Sequence, residues 1–321
     1  MRVLLANPRG FCAGVEMAIE SVERALTLFG TPLYVYHEIV HNQHVVDHFR
    51  QRGVVFVESL DEVPAGSHLI YSAHGVSPEV RREAAQLRLH AIDATCPLVA
   101  KVHGEVQRFA REGYTIVLVG HAGHDEVVGT VGEAPERIRL VESVEDVDQL
   151  AISDPNRIAY LTQTTLSVDD ASRIIQHLQR RFPGIIGPAR DDICYATQNR
   201  QEAIKTLLDE ADAVIVVGSR NSSNSNRLVE LARTDGKPAH LVDSSDELQE
   251  AWFSSADTVL VTAGASAPES LVQDCIAWLR DRFDADVEER LGRLESAHFP
   301  LPLELRSEIE LPKPSASRTA V

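Results

Sequence analysis

The stretch Ile92-Asp93-Ala94-Thr95-Cys96-Pro97 decides how the chain reads, because it has two counterparts, Asn7-Pro8-Arg9-Gly10-Phe11-Cys12 and Asp191-Asp192-Ile193-Cys194. In each, a short apolar run with strand character ends at a single cysteine, and an amphipathic helix follows. Outward from the cysteines the three copies stay in step. A strand ending in a polar loop comes 29, 28 and 28 residues on, at His41, His124 and Ser222. Val57-Glu58-Ser59, Val141-Glu142-Ser143 and Val242-Asp243-Ser244 follow at 45, 45 and 48. A last strand runs into His74-Gly75, Thr164-Thr165 and Gly264-Ala265-Ser266, each before a helix start of the Ser/Pro/acid kind. Repeats of this length are one supersecondary unit copied. The pattern predicts three α/β modules about a pseudo-threefold axis, each giving one thiol and two polar loops to a shared centre.

The expected boundaries are residues 13–96 for the first module, 97–193 for the second and 194–283 for the third, with strand 1–12 a candidate to complete the third and close the ring. Residues 284–321 read as a C-terminal extension. Phe299 to Leu311 suit an extended closing segment, and Pro312 to Val321 have a disordered composition. Within the frame, helices are expected near Ser77 to Leu89, Leu98 to Arg111, Asp169 to Phe182, Asn199 to Glu210 and Glu269 to Arg280. The polar loops follow the C-terminal ends of strands that read as buried and parallel, the edge where open α/β sheets place ligands.

With 321 residues the chain holds two or three domains, and 44% apolar with 25% charged residues is ordinary globular composition. No apolar run nears the roughly 20 residues needed to span a bilayer, and the N-terminal run is too short for a signal peptide. A cytoplasmic enzyme is the expectation. The formal charge of -17 argues against nucleic acid or an anionic membrane as main partner. A small anion remains compatible, because amides, hydroxyls and histidines build local anion sites in acidic proteins. Four cysteines with no C-x-x-C pair suit thiolate chemistry or metal ligation better than structural disulfides.

Three thiols related by a threefold axis match a 4Fe-4S cubane, whose axis passes through one iron: three irons are ligated and the fourth stays open. A zinc site with three cysteines and a water is the next candidate. A single cysteine is more often plain core, and Cys275, inside a helix without a counterpart, reads that way. His37-Glu38-Ile39-Val40-His41 matches H-E-x-x-H, which works as a zinc motif only on a helix. Here it continues the strand Leu33 to Tyr36, and the next helix begins near Asn42 or Gln43, so the match reads as chance.

Several blocks together carry a resemblance. Asn7 through Val15, Ser72-Ala73-His74-Gly75-Val76-Ser77, Asp93-Ala94-Thr95-Cys96-Pro97-Leu98-Val99, His121-Ala122-Gly123-His124 with Glu126, Thr162 through Asp170, and Val217-Gly218-Ser219 with Ser222 through Leu228 stand in order from residue 1 to about 280. In these the chain resembles the 4-hydroxy-3-methylbut-2-enyl diphosphate reductase family. Glu16-Met17 departs from the Asp-Arg pair of that pattern, and the C-terminal tail is unfamiliar. The resemblance implies a trefoil of three α/β modules around one 4Fe-4S cluster per chain. It also implies the last step of the methylerythritol phosphate route to isoprenoids, reductive removal of an allylic hydroxyl to give isopentenyl and dimethylallyl diphosphate.

Carried over motif by motif, Cys12, Cys96 and Cys194 would ligate the cluster. His41, His74, His124, Ser222, Ser223, Asn224 and Ser266 would hold the diphosphate, Thr164 would position the substrate hydroxyl, and Glu126 would deliver protons. The chemistry agrees, since loss of hydroxide is difficult without protonation and an acid beside the site meets that need. Taken singly, each histidine would more often be structural, Ser222 to Asn226 an N-cap and turn, Thr164 and Ser266 loop residues, and Glu126 a helix-dipole partner. Arg9 and Lys101 stay unassigned. No dinucleotide fingerprint is visible, so by resemblance ferredoxin or flavodoxin supplies the electrons. The competing readings are a zinc hydrolase on the three cysteines or on His37/His41, and a non-catalytic anion or iron-sulfur binder.

Overall fold

β1 (Arg2–Ala6) leads into α1 (Ala13–Phe29), and β2 (Leu33–Tyr36), α2 (Gln43–Gln51), β3 (Val54–Val57), β4 (His68–Tyr71), α3 (Pro78–Gln86) and β5 (His90–Asp93) follow. Next come α4 (Pro97–Arg111), β6 (Thr115–Val119), α5 (Asp125–Glu133), β7 (Ile138–Val141), α6 (Val144–Gln149), β8 (Ile158–Thr162) and α7 (Val168–Arg181). The last part holds α8 (Tyr195–Lys205), β9 (Ala213–Val217), α9 (Ser223–Thr234), β10 (Ala239–Val242), β11 (Thr258–Ala263), α10 (Glu269–Phe283) and β12 (Asp286–Arg290). The structure, a computed structural model, describes residues 1–306.

The strands form three parallel sheets, ordered β3-β2-β4-β5, β7-β6-β8 and β10-β9-β11-β1-β12. Parallel sheets need both faces covered, so inner strands are continuous apolar runs. β9, Ala-Val-Ile-Val-Val, is buried at every position. The expected three-part α/β architecture is the one found. β1 is an inner strand of the third sheet, with Val3 paired to Val259 of β11 on one side and Val287 of β12 on the other.

Several local expectations are corrected. No strand delivers Cys194: residues 190–194 have no strand, and the nearby pairing is a single bridge, Ala159 to Ile186. Two acids and a Gly-Pro pair interrupt the apolar run there. Cys194 is held instead by its N–H donating to Thr164 O at 3.0 Å, while Asp192 Oδ2 accepts from Thr162 N–H at 3.0 Å. The following helix starts at Tyr195 rather than near Asn199, because Cys194 itself is the N-cap. α3 stops at Gln86, short of Leu89, where Arg88 turns left-handed at φ 57. Up to Arg306 the expected closing segment has no strand, only a 3-10 turn at Leu303–Leu305 that buries Leu305 against α1 and β2. The expectations for Ser307 to Leu311 and for the tail to Val321 lie outside the described residues.

Candidate active site

At the C-terminal edges of the sheets the chain makes one cavity. Its wall contains all twelve site residues expected from sequence: Cys12, Cys96, Cys194, His41, His74, His124, Glu126, Thr164, Ser222, Ser223, Asn224 and Ser266. Each cysteine is the N-cap of a helix, Cys12 of α1, Cys96 of α4 and Cys194 of α8. A helix N-terminus carries about half a positive charge and unpaired N–H groups, which favours thiolate over thiol. Cys194 Sγ accepts from Thr197 N–H at 3.4 Å and lies 3.1 Å from Thr197 Oγ1.

The sulfurs of Cys12 and Cys96 are close neighbours. A Cβ placed on Gly14 would stand 2.6 Å from Cys96 Sγ and 3.9 Å from Cys12 Sγ, so those two atoms are no further apart than the two distances together. Burial pushes the Cys96 thiol up to about 12 and the Cys194 thiol up to about 11, and the charge of Cys12 adds to both. Three soft donors from three elements, crowded so that thiolates repel without a cation among them, fit an iron-sulfur cluster with one iron left to a substrate. Cys275 is buried in α10, in the core of the third sheet, as expected.

Opposite the thiols lies a corner rich in imidazole and hydroxyl. His41 and His74 stack with centroids 3.9 Å apart, and His124 meets both edge-on at 5.3 and 6.0 Å. Burial, helped by the neighbouring His41, holds His74 well below the ordinary imidazole range and His124 down at about 4, so both are neutral near pH 7. His124 is the N-cap of α5 and its Nδ1 accepts from Glu126 N–H at 3.1 Å, which leaves the proton on Nε2. Ser222 caps α9, and Asn224 Oδ1 accepts from Ala265 N–H at 2.9 Å. Ser266 Oγ donates to His41 O at 2.8 Å, joining the third sheet's loop to the first. Imidazoles, hydroxyls and a helix N-terminus gather here without lysine or arginine, beside the carboxylate of Asp125.

Glu126, 2% exposed, sits between corner and thiols in the first turn of α5. Its Oε1 accepts from Thr164 N–H at 2.7 Å and its Oε2 from Thr164 Oγ1 at 2.9 Å. Burial pushes its carboxyl up to about 7 against the opposing effect of those bonds, so near neutral pH it stands between acid and carboxylate and can exchange a proton.

Some wall and corner residues had no sequence signal. Thr197 follows Cys194 at the N3 spacing, which in hindsight marks a capping pair. Phe299 reaches the cavity from the C-terminal segment, 105 positions after Cys194. Asp125, beside Glu126, turns its carboxylate toward His41 and His74. Arg9 is tied to Glu269 and Glu289, and Lys101 to Asp192, so both are structural ties. His37, at φ 58, is outside any helix, and the H-E-x-x-H run forms no zinc-peptidase face.

This is an α/β enzyme of three parallel sheets with a cavity lined by thiols, imidazoles and hydroxyls at their junction. The chain belongs to the LytB protein family, which it matches over residues 3–280. It is 60% identical over 307 residues, 96% of either chain, to the 4-hydroxy-3-methylbut-2-enyl diphosphate reductase of Rhodopirellula baltica. It is 56% identical to the protein of the same name from Sodalis glossinidius, covering 97% of this chain and 99% of that one. Among solved structures it superposes with TM-score 0.91 and 42% identity on the E-1-hydroxy-2-methyl-but-2-enyl-4-diphosphate reductase of Plasmodium falciparum, over 95% of this chain and 96% of that one. These relatives give no support to the zinc-hydrolase reading. Among the described residues no helix is long and apolar enough to cross a membrane.

Proposed function

We propose that this chain is the reductase that converts 4-hydroxy-3-methylbut-2-enyl diphosphate to isopentenyl and dimethylallyl diphosphate in the methylerythritol phosphate pathway. The observation that carries the proposal is a single cavity lined by three helix-capping thiols, a buried carboxyl raised to about 7 and a corner of imidazoles and hydroxyls. Replacing the allylic C–O bond by C–H and releasing water takes two electrons and two protons. A 4Fe-4S cluster on Cys12, Cys96 and Cys194 supplies, when bound, the electrons and one open coordination position.

The remaining work falls to side chains. His41, His74, His124, Ser222, Ser223, Asn224 and Ser266 bind the diphosphate and fix the allylic end toward the thiols, which is a gain in orientation rather than in chemistry. Thr164 Oγ1, hydrogen-bonded to Glu126, positions the substrate hydroxyl. Glu126 gives its proton to the departing oxygen, turning a poor leaving group into water, and after taking up a second proton from solvent supplies the one that completes the C–H bond. Ferredoxin or flavodoxin delivers the electrons from outside.

Anaerobic purification with iron, sulfide and zinc analysis tests the cofactor, and incubation of the loaded enzyme with substrate and a chemical reductant tests the reaction. Iron with sulfide and formation of both C5 diphosphates are expected. About one zinc and no sulfide, or no product from cluster-loaded enzyme, overturns the proposal.

A further inference from the structure

Asp125 has no part in that reaction, yet its carboxylate faces the same corner. Oδ2 lies 3.7 Å from His41 Nε2 and 3.9 Å from His74 Nδ1, too far for hydrogen bonds to either. One nitrogen from each imidazole and one carboxylate oxygen all lie within 4.8 Å of one another. Ligand atoms around a tetrahedral zinc with bonds of about 2.1 Å are about 3.4 Å apart, so the three need only a small contraction. The outer contacts are already those of a metal site. His37 Nδ1 donates to Asp125 Oδ1 at 2.9 Å, and Glu38 Oε2 is 3.5 Å from His41 Nδ1, which directs Nε2 inward. His74, kept neutral by burial, offers a lone pair. The two rings stack with planes 17° apart, so one must turn to aim at an ion, and the second side-chain torsion of histidine is soft. Ser72 Oγ, 3.3 Å from His74 Nδ1, would have to turn aside to free that nitrogen.

We propose that while no diphosphate is bound, His41 Nε2, His74 Nδ1 and Asp125 Oδ2 take one divalent transition ion of the zinc class, and that the ion and the diphosphate exclude each other. Two imidazoles and a carboxylate are a common donor set for such ions and leave a fourth position for water. The ion has no hydrolytic role. It makes the enzyme sensitive to free zinc at the mouth of its own substrate site, an effect that rests on reading this corner as the diphosphate site.

The test uses cluster-loaded, full-length protein under anaerobic conditions, dialysed against zinc at a buffered free concentration. Expected are one zinc per chain beyond the cluster iron and a zinc-edge absorption spectrum with nitrogen and oxygen neighbours only. Zinc affinity should fall about tenfold or more in Asp125→Asn and in Asp125→Ser, with cluster iron unchanged, and substrate should drive the zinc off. Sulfur at about 2.3 Å from zinc, full zinc uptake by both variants, or zinc and substrate bound together overturns the proposal. Substrate binding to zinc-free enzyme is measured separately: affinity unaltered by His124→Gln would overturn the diphosphate reading and with it the exclusion, whereas the zinc stoichiometry stands or falls on the first measurement.

Discussion

Glu126 shows how burial lets one carboxyl keep a share of its protons near neutral pH. With both oxygens taken by Thr164 and the side chain buried, the charged form lacks solvation, and the carboxyl rises to about 7. Glu126→Gln keeps the shape and the bond from Thr164 N–H but has no proton to give. It is expected to retain full iron and sulfide and to lose about 10² to 10⁴ in turnover with a chemical reductant; near-normal turnover would mean that the proton comes from elsewhere. The same shift is a stability statement. Because the folded pKa lies above the ordinary 4.5, the folded chain holds this proton more tightly than the unfolded one. Its contribution is complete below about pH 4.5 and is lost as pH rises through about 7, to the extent of about 3 kcal/mol. Asp192, pushed up to about 6 by burial, titrates in the same window. The difference between wild type and Glu126→Gln in denaturant unfolding at pH 5 and pH 8 therefore isolates Glu126, and wild type should lose more on going to pH 8.

At the level of elements, the centre is a meeting of helix N-termini, and Gly14 shows how tightly α1 and α4 meet there. Its missing Cβ is the space occupied by Cys96 Sγ, and Cys96 Cβ would be only 3.3 Å from an added methyl. Gly14→Ala should favour α1 itself by up to about 1 kcal/mol while displacing the sulfur. Its expected outcome is a metal-free fold at least as heat-stable as wild type but a sharply reduced iron content; normal iron loading would show that the sulfur has room to move. The elements were legible where their pattern was internal to the chain. The spacing of Cys12, Cys96 and Cys194 and the polar loops at His41, His124 and Ser222 is periodic, so one copy predicts the others. β12 was missed because Asp-Val-Glu-Glu-Arg has no apolar run; as an edge strand with a mostly exposed outer side it needs none. The strand expected before Cys194 fails for the converse reason: the repeat asked for it, but Asp191 and Asp192 have charges to satisfy, and Asp192 does so with Lys101 and Thr162. Asp125 matters through a contact 51 positions back, to His74, and Phe299 through a cavity wall whose other residues lie 33 or more positions away, and no local pattern announces these.

Across the whole molecule, the first strand and the segment between β12 and Arg306 are both fastened close to the centre. β1 runs inside the third sheet, and the segment after β12 returns to put Phe299 in the cavity wall and Leu305 into the core beside α1. Its pin is Glu295, whose carboxylate takes Arg200 Nη1 at 3.0 Å and Asn199 Nδ2 at 3.0 Å. Arg200, fully buried, also donates to Ala196 O at 2.9 Å and to Gly10 O at 2.7 Å, so one guanidinium joins α8, the loop before Cys12 and the C-terminal segment. A buried pair of this kind gains little over an apolar pair of equal size, but losing one partner strands a charge. Glu295→Ala should therefore cost about 3 to 5 kcal/mol in denaturant unfolding and, by freeing the segment that carries Phe299, raise KM more than it lowers kcat. In the double variant Arg200→Met with Glu295→Met no charge is stranded, so most of the lost stability should return. The KM defect should persist, since methionine offers Glu295's position no polar pin. A double variant as unstable as Glu295→Ala would show that the attachment of the segment, and not the compensation of Arg200, is what the pair provides.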